Sequence, residues 1–392
     1  MRKLAIITTH PIQYYAPVFK LLHERGNINI NIFYTWGNDG KDKYDPGFGE
    51  QIKWDLPLLN GYPFEWVKNT SAQPGSHHFK GIVNPDLIAR INNYQPDALL
   101  IFGWAYHSHL KVLRHFKNKL PVYFRGDSTL LDEKPGFRSL LKSVFLKWVY
   151  RHVDHVFYVG TNNKAYFKNY GLQDDQLSFA PHAVDNDRFS INRDKEVTVL
   201  KQRLGINNNN IIILFAGKLE EKKSPELLLN SFLSLNLPGT QLVFAGSGKL
   251  EEQLKHQASG HNNVHFIGFQ NQSIMPVVYQ MCDIFCLPSH GPGETWGLAV
   301  NEAMACGKTI IVSNKCGCAI DLVNEANGTI FKSGSSDALK QALQKSASSK
   351  IQLAQSGEYS RLFIKKWSFL KIVKHIENEI LNLGNASNVS DE

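Results

Sequence analysis

Short apolar runs alternate along this chain with stretches of helical spacing. Leu4-Ala-Ile-Ile7 predicts a first buried strand, and Val18, Leu21 and Leu22 predict a helix after it. Further strands are predicted at 28–34, 98–102, 121–125, 154–159 and 177–180, with helices near 85–93 and over 107–116. The second half repeats the pattern, with strands at 211–216, 241–245, 264–267, 284–287 and 309–312. Such alternation implies a parallel, doubly wound sheet in each half. Apolar residues at helical spacing predict a last helix over 359–383, and the polar residues 384–392 are expected to be disordered.

Three stretches depart from the alternation. Residues 36–80 are rich in turns and aromatics (Trp36, Tyr44, Phe48, Trp54, Tyr62, Phe64, Trp66), which suits either acceptor binding or a small hairpin pinned to its domain. Asp39, Asp42 and Asp45 lack the Gly and Glu that would complete a calcium loop. Residues 137–151 predict an amphipathic helix with Phe137, Leu140, Leu141, Val144, Phe145, Trp148 and Val149 on one face. Arg138 and Lys142 flank one edge of that face, and Lys147 and Arg151 the other. That helix could dock on an anionic membrane or pack against a domain with a solvated rim; packing is the commoner case. Residues 180–189 look like a domain junction. Asp185-Asn-Asp187 there sits in a linker, so it is discounted as a metal pair.

A length of 392 residues exceeds one ordinary core and implies two domains. Charged residues make up 20% and the net charge is +8, which suits an anionic partner. The excess is spread along the chain with no nucleic-acid-binding signature, so a nucleotide or an acidic membrane surface is favoured over nucleic acid. The cysteines at 282, 286, 306, 316 and 318 are odd in number, which makes a poor disulfide framework. Four apolar residues after Met1-Arg2-Lys3 are too few for a signal-peptide core, and no run reaches the length of a membrane span. A reducing, cytoplasmic location is expected, at the inner face of the plasma membrane if the 137–151 helix docks there.

The candidate chemistry concentrates in residues 288–307. Pro288, Gly291, Pro292 and Gly293 punctuate a loop, and a short helix from about Gly297 to Cys306 follows. That helix is apolar nearly all round, so it should be buried, and Glu302 in its middle needs a partner from elsewhere. Glu294 lies in the loop beside the free N–H groups of the helix start, which suit a phosphate. Two carboxylates for hydroxyls and a helix end for phosphate suit a sugar nucleotide. Lys218, after the 211–216 strand and Gly217, and Lys223, at a helix start, could clamp a diphosphate; they could equally be solvated loop lysines beside Glu220 and Glu221. In the first half His10, Gln13, Arg125 and Asp127 follow strand ends and are candidates for a ligand crevice. No G-x-G-x-x-G fingerprint occurs, which argues against NAD and FAD.

Gly293-Glu-Thr-Trp-Gly-Leu-Ala-Val-Asn-Glu-Ala-Met-Ala-Cys-Gly307 resembles the donor-site signature of the family-4 (group 1) retaining glycosyltransferases, whose two glutamates have the spacing of Glu294 and Glu302. Gly217-Lys-Leu with Lys223, residues 243–248 and Phe266-Ile-Gly-Phe269 match in the same order, and His10-Pro-Ile-Gln-Tyr14 looks like a subgroup of these enzymes. The resemblance implies a GT-B architecture. Two Rossmann-like doubly wound domains, 1–182 on the acceptor side and 183–359 on the nucleotide-sugar side, would face a central cleft. A C-terminal helix, 360–383, would return to the first domain. By carry-over, Glu302 would bind ribose hydroxyls and Glu294 the donor sugar. Lys218 and Lys223 would hold the diphosphate with Gly217 and Gly293 beside them. The backbone near Phe269 would face the base, and that of Trp296, Gly297 and Leu298 would contact phosphate or sugar.

Three departures stand out. Lys218 replaces the usual Arg and loses its bidentate fork. Thr8-Thr-His-Pro11 replaces a Gly-rich loop, and Arg125-Gly-Asp127 occupies about the place of the usual N-domain histidine. The resemblance implies transfer of a hexose-type sugar from a nucleotide-diphosphate sugar to a glycan or lipid-linked acceptor, in surface polysaccharide or lipopolysaccharide biosynthesis. It implies no cofactor and no metal. The alternatives are a non-catalytic GT-B-like scaffold and a GT-B-fold sugar-nucleotide epimerase; the base, sugar, acceptor and linkage stay open.

Overall fold

The computed structural model describes residues 1–37, 43–45, 50–52 and 54–383. Asp39, Asp42 and Phe48, the side chains of Tyr44 and Asp45, and the 384–392 tail lie outside the described residues. Two compact units emerge. One comprises Met1–Lys43, Pro57–Pro181 and Phe369–Glu392; the other comprises Tyr44–Leu56 and His182–Ser368.

The first unit is built on β1 (Lys3–Thr8) and β2 (Asn29–Tyr34). A separate two-stranded sheet, β3 (Lys43–Asp45) with β4 (Glu50–Ile52), comes next in the chain. Then follow β5 (Phe64–Trp66), β6 (Ala98–Phe102), β7 (Val122–Arg125), β8 (His155–Tyr158) and β9 (Leu177–Phe179). The main sheet has the order β5-β2-β1-β6-β7-β8-β9 and is parallel throughout. Helices cover it, so central strands such as Leu4–Ile7 and Ala98–Ile101 are wholly buried and read as continuous apolar runs. The three-residue β5 is an edge strand that the periodicity does not reveal. Its Phe64 and Trp66 rings pack on Tyr34, so these aromatics anchor the sheet edge.

The second unit holds β10 (Ile211–Ala216), β11 (Thr240–Ala245), β12 (Val264–Phe266), β13 (Ile284–Leu287), β14 (Thr309–Ser313) and β15 (Gly328–Phe331). Their order, β12-β11-β10-β13-β14-β15, is again parallel. It reverses direction between β10 and β13, and ligands of such sheets bind outside the carboxyl ends at that switch point.

Two expectations need correction. The single helix expected over 359–383 is two helices, Lys350–Ile364 in the second unit and Phe369–Leu381 in the first. The break falls at Trp367, which is buried against Trp296, and Asn186 donates to the Ile364 and Trp367 carbonyls there. The Phe137–Tyr150 helix does not bury the apolar face expected to pack against a domain. Of that face only Val149 is fully buried, together with Leu146 and Tyr150 from the opposite side. The last helix meets the first one, Ala16–Arg25, through a bidentate Arg25–Glu377 pair at 3.0 Å.

His109 sits beneath the carboxyl ends of β1, β2 and β6. Its Nδ1 lies 2.9 Å from the Gly103 carbonyl and therefore carries the proton; its Nε2 lies 2.8 Å from Thr35 Oγ1. Burial lowers its pKa from the usual 6.5 to about 4. The unfolded chain thus binds a proton that the folded chain refuses. This contribution to stability is complete above pH 6.5 and is lost as pH falls toward 4. Chemical denaturation between those limits should show a slope of up to about 1.4 kcal/mol per pH unit that His109→Gln removes.

Candidate functional site

The loops leaving β10 and β13 meet at the switch point of the second sheet. Gly217 and Lys218 end β10, and Lys223 closes the turn before the Pro225–Leu235 helix. Pro288 to Gly297 leave β13. Lys223 Nζ lies 2.6 Å from Glu294 Oε2, joining two positions 71 residues apart. Both side chains are largely buried, and Ser289 Oγ donates to the same carboxylate oxygen at 2.9 Å. Lys223 is therefore not the solvated loop lysine of the alternative reading; Glu220 pairs with Lys222 at 3.3 Å instead. The His290 amide also donates to the Lys222 carbonyl at 2.9 Å, so backbone as well as side chains join the loops. Lys218 is half-buried at the end of β10.

The Leu298–Ala305 helix begins at Gly297 and is buried from Val300 onward. Glu302 is 3% exposed and accepts a hydrogen bond from Tyr279 Oη at 2.8 Å. The Met275–Met281 helix thus supplies a hydroxyl donor to this carboxylate. Asn301 fixes the helix at its neighbours: it accepts from Trp296 Nε1 at 2.9 Å and donates to the His182 carbonyl at 3.1 Å. The Trp296 side chain therefore points into the core, and only its backbone is available to a ligand. Gly293 is exposed at the tip of the loop, and Leu298 is half-buried at the first helical position.

Cys316-Gly-Cys318 is the floor under this loop. The Gly317 and Cys318 amides donate to the carbonyls of Glu294 and Trp296 at 3.1 and 3.0 Å. All five cysteines are free thiols, and both members of this pair are wholly buried. At the far end of the sheet Phe269 follows β12, with the Trp54 ring 6.4 Å away. The Gly246 amide donates to the Gly268 carbonyl at 2.7 Å, and a Cβ on Gly246 would lie 2.0 Å from the Gly217 carbonyl oxygen. The Gly246 backbone therefore packs directly on the Gly217 backbone.

In the first unit, His10 is half-buried with Nδ1 2.8 Å from Thr9 Oγ1 and its ring edge-on to Trp36. Gln13 and Asp127 are half-buried near the carboxyl ends of β1 and β7. Arg125 is a correction. It is 2% exposed, and its guanidinium donates to the Ala180 and Pro181 carbonyls at 2.7 and 3.0 Å. A guanidinium this deep needs fixed acceptors, and it finds them in the main chain that leaves β9, so it is withdrawn as a crevice residue. The missing histidine has a candidate that sequence reading passed over. His107 opens the His107–Phe116 helix after β6, and its Nδ1 is buried with no hydrogen-bond partner among the described residues. The signal was His107-Ser-His109 at a helix start, read there only as part of a helix.

Residues 196–363 match the family model described as glycosyl transferases group 1. An uncharacterised glycosyltransferase of Methanocaldococcus jannaschii is 27% identical over 41% of this chain and 42% of its own length. A D-inositol 3-phosphate glycosyltransferase of Xylanimonas cellulosilytica is 28% identical over 41% and 40%. The Escherichia coli UDP-Gal:alpha-D-GlcNAc-diphosphoundecaprenol alpha-1,3-galactosyltransferase is 26% identical over 53% and 54%. The chain thus spans about half or less of the curated relatives it matches. Likeness in fold covers the whole chain. Anabaena HepE, solved with UDP and glucose, superposes with a TM-score of 0.71 at 17% identity over 97% of this chain and 100% of that one. Sucrose-phosphate synthase of Thermosynechococcus elongatus gives 0.72 at 16% identity over 98% and 100%. The GT-B architecture stands on these structures.

The floor of the site can be tested at Gly317, where a Cβ would lie 1.7 Å from the Thr295 carbonyl oxygen. Gly317→Ala must push the Glu294 loop off its support. A loss of about 2 kcal/mol or more in urea unfolding is expected, whereas Gly334→Ala, with nothing near its Cβ, should cost less.

Proposed function

We propose, from the match of residues 196–363 to the group 1 glycosyl transferase family model, that this chain moves a hexose-type sugar from a nucleoside-diphosphate sugar to a glycan or lipid-linked acceptor, with retention of configuration. The observation that carries the reading is the meeting of Lys223 and Glu294 at the switch point, with Glu302 buried on the adjoining helix. A scaffold has no use for a buried lysine–carboxylate contact beside a helix start. The Escherichia coli relative's name specifies a diphosphoundecaprenol acceptor, which supports the lipid-linked class and a role in surface-polysaccharide assembly.

In this reading the donor diphosphate competes with Glu294 for Lys223. Once the phosphate takes the ammonium group, the Glu294 carboxylate is released toward the sugar hydroxyls. Glu302, braced by Tyr279, binds the ribose. The anomeric C–O bond breaks and negative charge grows on the leaving phosphate. Lys218, Lys223 and the N–H groups at Gly297 and Leu298 stabilise that charge, which is electrostatic catalysis. The acceptor hydroxyl attacks the face the phosphate leaves, and its proton passes to a phosphate oxygen, so no protein nucleophile is needed. The lysines supply the positive charge that a metal would otherwise bring. His10, Gln13, His107 and Asp127 of the first unit form the acceptor-side candidates.

Two expectations test this. Thermal midpoints measured with UDP, GDP, ADP and CMP should rise with one of them, and Lys223→Ala should weaken that nucleotide about 10- to 100-fold, as for a lost charged hydrogen bond. No rise with any would overturn the donor site. Glu294→Gln should lower kcat about 100-fold while the nucleoside diphosphate binds as tightly as before or more tightly, because its rival for Lys223 has lost its charge. Unchanged turnover would remove Glu294 from the mechanism. Product formed without any acceptor would favour the epimerase.

A further inference from the structure

The Phe137–Tyr150 helix presents two apolar faces. Leu146, Val149 and Tyr150 enter the core of the first unit. On the opposite side Phe137, Leu140, Leu141, Val144 and Phe145 are exposed by 74, 61, 56, 62 and 42%. Among the described residues the next richest helix, Lys350–Ile364, exposes three large apolar side chains, so this clustering is not the ordinary scatter of surface hydrophobics. At the helix's end Trp148 extends the face: its ring lies 5.6 Å from Phe145, Phe145 meets Trp104 at 5.5 Å, and the Arg114 guanidinium sits over Trp148 at 5.5 Å.

Charge identifies the occupant. From residue 134 to 153 the chain has Lys134, Arg138, Lys142, Lys147 and Arg151 and no Asp or Glu. All five are exposed, and Lys142 alone among them is shown in an ion pair, with Glu133 at 2.6 Å. A second copy seated on this face would bring two such basic rims together, which costs free energy. An anionic surface with an apolar interior satisfies both the rim and the face. No helix among the described residues is long and apolar enough to cross a membrane, so the contact is one of lying in the interface. We propose that the outer face of the Phe137–Tyr150 helix docks on an anionic phospholipid bilayer, with the helix, about 21 Å long, in the plane of the headgroups. This rests on the helix's own geometry and is independent of the donor-site reading, though it would bring the first unit to where a lipid-linked acceptor resides.

The test is co-sedimentation of the full chain with vesicles of phosphatidylcholine, with and without phosphatidylglycerol. Binding is expected only with the anionic lipid and should weaken as salt is raised. Leu141→Glu with Val144→Glu should lower the partition coefficient about tenfold or more, with an unchanged thermal midpoint because both side chains are exposed in the folded chain. Lys147→Gln with Arg151→Gln should lower it less and flatten the salt dependence. Glu294→Gln should bind vesicles like the parent chain, which separates this contact from the donor site. Absence of binding, or equal binding by the Leu141→Glu, Val144→Glu variant, would overturn the proposal. So would a concentration-dependent dimer, seen by analytical ultracentrifugation, that the same variant dissolves.

Discussion

Two carboxylates must be held out of bulk water at one end of one sheet, and much of the second unit is arranged around that requirement. Glu294 is met by Lys223 and Ser289, and Glu302 by Tyr279. None of these partners is near its carboxylate in sequence except Ser289. The parallel topology, reversing between β10 and β13, brings the two loops side by side, so that Lys223 reaches Glu294. Cys316 to Cys318 then hold the loop from below, the Gly317 and Cys318 amides donating to the Glu294 and Trp296 carbonyls.

Central strands buried on both faces are continuous apolar runs, so β1, β6, β10 and β13 are legible from composition over four to six residues. The edge strand β5 has three residues and half-buried side chains, too little pattern to register. The spacing of Glu294 and Glu302 is a local signal and could be read. The pairing of Glu294 with Lys223 is not local, and no single-sequence pattern announces it. Arg125 failed for a related reason: a strand-end arginine reads as a ligand group, and only the path of residues 180–181 reveals that two main-chain carbonyls claim it.

The 137–151 helix shows the limit of amphipathic reasoning. Its sequence pattern is correct in period, but Val149, counted with the apolar face, belongs to the inward side, and a moment cannot say which of two apolar sides meets the core. Three inward residues, Leu146, Val149 and Tyr150, decide it, because they meet Val122, Phe124, Val156 and Phe167 in one cluster. The more conspicuous face is left outside.

The first unit is closed by a helix from the far end of the chain. Phe369–Leu381 packs on Ala16–Arg25; Ser178 donates to Glu379, Arg2 donates to the Leu383 carbonyl at 2.7 Å, and Ile372, Val373, Ile376 and Ile380 are buried. During synthesis, residues 1–181 therefore leave the ribosome without their cover and wait while the second unit is made. At ordinary elongation rates that interval is roughly 10–40 s. For that time the first unit lacks the apolar cover that Ile372, Val373, Ile376 and Ile380 provide. The second unit, contiguous from His182 to Ser368 apart from the short Tyr44–Leu56 segment, is complete in the chain before the first unit is.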